Sequence, residues 1–196
     1  ADQGDGFYAY VDTDDEAERL FEDELTSTLL TIAKNAKIQV EFDPEVVDEY
    51  RLIGFENRGV RDDQFRDDTV DAGELGAGHQ VTAIYEIELA RRVDIDDRLD
   101  LGRVFLRWED PDDAEIVEID DDIRLRDIEP EWASAPADFR LATVVATFAE
   151  VLRDNPYADD VDIDDLVDEA DRLADELDTD EVDDLAVLID EAAQLR

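Results

Sequence analysis

The stretch Asp71-Ala-Gly-Glu-Leu-Gly-Ala-Gly-His-Gln80 concentrates the residues that could do chemistry: Gly73, Gly76 and Gly78 within six positions, a carboxylate at Glu74, and the chain's one histidine, His79. Glycines this close together predict positive φ or a close chain approach just before a strand. Glu74 and His79 could serve as the acid and base of a hydrolase or ligand-binding enzyme. The alternative is that His79 packs at a strand start and bonds locally. A phosphate loop is excluded, because the GxxxxGK[ST] spacing is absent and a strand pattern follows instead of a helix. One histidine and no cysteine exclude multi-histidine zinc sites, thiolate metal sites, cysteine nucleophiles and disulfides. No serine is placed to make a nucleophile pair with His79.

Acid clusters at 94–100, 110–113, 120–122 and 159–165 supply hard oxygens for a divalent cation, yet none has the EF-hand order of ligands, glycine and closing glutamate. Solvated charge and cation storage both remain open for them. Arg51, Arg58 and Arg61 surround Gly54-Phe-Glu-Asn-Arg-Gly59 and suit a partner's carboxylate, or ion pairs within the fold.

The elements that must position these groups follow from periodicity. A capping box at Thr13-Asp-Asp-Glu16 opens a helix whose Ala17, Leu20, Phe21, Leu25, Leu29 and Ile32 share one face, up to about Ala33. From Lys37 the period becomes two, with Ile38, Val40 and Phe42 alternating with polar residues until Pro44. Further strand patterns at 50–55, 80–89, 103–108 and 115–119, joined by turn-rich segments, predict an antiparallel sandwich or barrel over 37–126. After a Pro-punctuated linker at 129–136, three helices are expected. In the first, over 138–153, Arg140, Thr143, Thr147 and Glu150 are spaced 3, 4, 3 and predict one narrow wet stripe on an otherwise buried helix. The other two carry apolar stripes over 163–177 and 182–193. The fold class is therefore α+β: an antiparallel β-sandwich-like domain over 36–128 and a three-helix subdomain over 129–196.

The solvent these elements face is legible in the charge. Among 196 residues, 60 acids stand against 18 bases, a net charge of −42; Asp outnumbers Glu 39 to 21, and the bases are 16 Arg and two Lys. Nucleic acid is excluded as a partner, since no basic window could displace its counterions. Asp-rich surfaces with Arg in place of Lys fit a halophilic protein, because at about 1 M salt the Debye length falls to roughly 3 Å and like charges are screened. A cation buffer or DNA mimic is the competing explanation. No apolar run reaches the roughly 20 residues that span a membrane, and no signal peptide opens the chain, which reads as a piece of a longer one.

The segments Leu25–Pro44, Tyr50–Arg58 and Asp71–His79 with Val81-Thr-Ala-Ile-Tyr-Glu86, and Asp138-Phe-Arg140 opening an apolar helix, resemble the region that follows the von Willebrand factor type A (vWA) domain in the bacterial YfbK family. The resemblance implies that residues 1–35 are the last strand and helix of a vWA domain, that a divalent cation binds in the upstream part, and that the protein belongs to the cell envelope. The Asp-x-Ser-x-Ser metal pattern of that domain is absent from this chain, so no ligand is carried over. The reading that emerges is a non-enzymatic interaction and scaffolding region for its own vWA domain and a protein partner. The alternatives are the Glu74/His79 enzyme and the cation store.

Overall fold

The computed structural model describes residues 30–54, 61–70, 72–91, 93 and 99–195. The aromatic run at 7–11, the helix expected from Thr13, Arg58 and most of the 94–100 cluster lie outside them. Six strands and three helices follow: β1 Thr31–Phe42, β2 Val47–Leu52, β3 Gly73–Gly76, β4 Tyr85–Leu89, β5 Asp100–Glu109, β6 Ile116–Arg124, α1 Ala137–Leu152, α2 Ile163–Leu177 and α3 Asp180–Gln194. The antiparallel strands and C-terminal helices give the expected α+β class.

Two expectations along the chain are corrected. Helical spacing does not run on to Ala33, because Thr31 and Ala33 pair with Gly76 and Leu75 of β3 and the strand starts at Thr31. The glycine-rich segment is itself a strand, not the loop before one: β3 lies beside β1, and the ladder of the next strand begins only at Tyr85.

The described chain divides into two compact units, each discontinuous in sequence. The first draws on 30–47, 61–81 and 90–125, the second on 48–54, 82–89 and 126–195. Strands are thus shared between them: β3-β1-β5-β6 form the four-stranded antiparallel sheet of the first unit, while β2 and β4 form a two-stranded sheet.

In the first unit, cross-strand pairs set two unlike faces. One carries the rows Lys37–Arg107–Glu118, Gln39–Phe105–Asp120 and Glu41–Arg103–Asp122; the other carries Ile38–Leu106–Ile119 and Val40–Val104–Asp121. Residues 61–70 cover the charged face. Phe65 is buried edge-on to Phe105, with ring centroids 6.3 Å apart, and the buried Lys37 Nζ donates to the Asp67 carbonyl at 2.6 Å. Arg66 holds Glu118 in a fork, and Arg107 reaches both Asp68 and Glu118. These two arginines, Arg66 first, keep the Glu118 carboxyl below its ordinary value.

At Gly102, β5 lies hard against the main chain of β1. Its φ is +156°, and a Cβ there would stand 2.2 Å from the main-chain oxygen of Glu41 and 2.8 Å from the Cα of Phe42. Only glycine fits this approach.

The second unit encloses Val144, Phe148, Val151, Leu166, Ala170, Leu173, Val182, Ala186 and Ile189 among its three helices. Asp162 caps α2 through the main-chain N–H of Asp164, and Asp178, at φ +49°, ends it in the left-handed conformation. Asp180, Glu181 and Asp183 occupy the first turn of α3, where the helix dipole favours acids.

Candidate functional site

Helix α1 buries Val144, Phe148 and Val151 as its pattern requires, but departs from that pattern at both ends of the polar stripe. Arg140 and Glu150, the ends of the expected wet stripe, are buried at 5% and 3% exposure, whereas Phe139, Val145 and Leu152 are 47%, 45% and 61% exposed. Partners distant in sequence explain the departure.

Arg140 donates to the Ala135 carbonyl at 3.1 Å, to Glu169 at 2.8 Å and to Glu176. Glu169 also accepts from Arg172 at 2.8 Å. Burial pushes the Glu169 carboxyl up, but the hydrogen bonds from Arg140, Arg172 and Trp132 outweigh it and hold the group below its ordinary value. The buried charges are compensated, so their cost of desolvation is met by contact ion pairs.

At the other end of α1, Glu150 accepts two bonds from Arg51 of β2, at 2.9 and 3.1 Å, and one from Asn155 at 3.3 Å. Arg51 also donates to Glu86 of β4 at 2.7 Å and stacks over the Tyr157 ring at 4.5 Å. Glu150 first, then Glu86, raises the Arg51 guanidinium above its ordinary value. The arginine offered by the sequence for a partner's carboxylate is therefore committed within the fold.

With Arg140 and Glu150 turned inward, α1 leaves Phe139, Val145 and Leu152 facing outward beside the exposed Asp138. Between α1 and the end of the β2–β4 ladder lies an open cleft of about 430 Å³, with Ile53 and Ile84 on one wall, Leu141, Val145 and Ala149 on the other, and Asp138 at one end. Sequence reasoning misses this site, because apolar spacing on α1 does not by itself distinguish a face that meets the core from one that stays open.

The glycine motif gives a different picture. Gly73 and Glu74 are exposed on β3, and a tight turn closed by His79 N–H to the Gly76 carbonyl at 3.0 Å follows. Gly78, at φ +83°, supplies the left-handed residue of that turn, while Gly73 has ordinary φ and open space where a Cβ would lie. His79 is exposed, and neither this cleft nor the polar one beside Trp132 and Asp168 is lined by Glu74 or His79.

The acid clusters have local work. Asp110 and Asp113 accept from main-chain N–H groups of the β5–β6 turn, and Asp120 and Asp122 pair with Arg103. Arg61 pairs with Asp63 at the surface. Among the described residues, no group of three or more histidine, aspartate or glutamate side chains is arranged to hold a metal ion.

Compared with known proteins, residues 27–195 match the family model described as "Uncharacterized protein YfbK, C-terminal". The "Uncharacterized protein YfbK" of Escherichia coli (strain K12) is 33% identical over 174 residues, covering 80% of this chain and 29% of that protein. The chain thus spans less than a third of its relative's length. No solved structure matches. The matched span runs from just before β1 to the end of α3 and takes in both compact units, so the chain belongs to the YfbK C-terminal family.

Proposed function

We propose that this region is a non-catalytic interaction and scaffolding module that accompanies a vWA domain in an envelope protein and engages a protein partner. The observation that carries the reading is α1, whose Leu141, Val145 and Ala149 line an open cleft while Arg140 and Glu150 are spent on internal ion pairs. An apolar surface kept open in so acidic a chain is a feature of contact sites, since solitary exposed side chains are common but a lined cleft is not. The relative's far greater length leaves room for the companion domain that the resemblance implies, and any divalent cation belongs to that part. The acid excess is adaptation to high salt; nine arginines among the described residues bridging to carboxylates fit that reading.

Affinity capture with the full-length protein tests the module. Loss of specific co-purifying proteins on Val145→Asp, with an unchanged melting temperature, supports it. An identical captured set contradicts it.

A further inference from the structure

We infer that the α1 cleft accepts an amphipathic helix of a partner protein whose apolar stripe is flanked by lysine or arginine. This rests on the interaction reading above and adds the partner's chemistry. Leu141, Val145 and Ala149 recur at the spacing of a helix–helix seam, and the run from Asp138 to Ala149 is about 16 Å long, three helical turns. A helix laid there would bury Val145, now 45% exposed, against apolar side chains of its own.

Charge selects the flanks. Asp138 closes one end of the cleft; past Ala149, the last lining residue of α1, the buried Glu150 is held by Arg51, which also pairs with the 64%-exposed Glu86, a set with one more acid than base. The described part of this unit holds 27 carboxylates and five arginines, four of them in ion pairs. A second copy of the chain would set acid against acid in contact, where salt screens least. A partner with basic flanks instead gains contact pairs once docked, and attraction on approach in low salt.

The test uses the full chain, in the lowest salt at which circular dichroism shows it folded, with three labelled peptides of about twelve residues. One carries leucines at seam spacing with lysine flanks, one has glutamate in place of lysine, and one has serine in place of leucine. Fluorescence anisotropy should show the leucine–lysine peptide binding at least about tenfold more tightly than either of the others. Val145→Asp should abolish that difference, while Val187→Asp on α3, exposed at 59% but outside the cleft, should not. Equal binding of the lysine and glutamate peptides, binding that survives Val145→Asp, or a Val145-dependent dimer of the chain overturns the inference. If no peptide binds while Val145→Asp still removes partners from the full-length protein, the partner chemistry is wrong and the interaction reading stands.

Discussion

Arg103 in the sheet and Arg140 in α1 each hold two carboxylates, yet they do different things. Arg103 lies on β5 with its side chain 50% exposed, bridging Asp120 and Asp122 of the neighbouring strand. Arg140 has a side chain 7% exposed and joins α1 to Glu169 and Glu176 of α2, 29 and 36 residues away. The first pair is screened by solvent and adds little. The second fixes which way a helix faces. The same ionic chemistry is a surface feature in one unit and a determinant of orientation in the other, and only the second leaves Val145 and Leu152 of its helix facing outward.

The sheet depends on backbone fit more than on its ion pairs, so the largest loss should come from Gly102→Ala. A methyl group 2.2 Å from the Glu41 oxygen forces the strands apart, and calorimetry should show at least about 3 kcal/mol of lost stability or no folded protein. Next comes Arg140→Leu, which leaves Glu169 buried with one cation fewer; urea titration should show a loss of about 3–5 kcal/mol.

Acid should separate the units less sharply. Glu169 and Glu118 are both held below the ordinary value of 4.5, so each adds stability above that pH and loses it as pH falls through the lowered pKa. Stability measured by circular dichroism should therefore hold to about pH 4.5 and decline below it, and Glu169→Gln should flatten the decline. Raising KCl should raise the melting temperature, since screening relieves repulsion among 60 acids; a maximum at low salt would remove the halophilic reading. The smallest effect is expected for Arg103→Ala, whose melting temperature should match the parent's.

Periodicity located the three helices nearly to the residue, and α2 and α3 face as their apolar stripes require. It failed on α1 because the charges at 140 and 150 look wet until their partners at 169, 176 and 51 are known, and those contacts span 29 to 99 residues. The same limit hid Gly102, whose glycine is required by the main chain of Glu41 and Phe42 across the ladder. Conversely, Gly73-Glu-Leu-Gly76 drew attention by composition, although of the glycines in that motif Gly78 is the one with a left-handed φ among those at 73 and 78. Local spacing reports what a segment can become; which side of it meets water is decided by residues elsewhere.

The direct measurement is thermal unfolding of Arg140→Leu and Val145→Asp side by side in one buffer. If Arg140 faces inward and Val145 outward, the apolar replacement at 140 lowers the melting temperature sharply, while the acid introduced at 145 changes stability by no more than about 0.5 kcal/mol. A stable Arg140→Leu together with a collapsed Val145→Asp would place Val145 in the core and contradict the account.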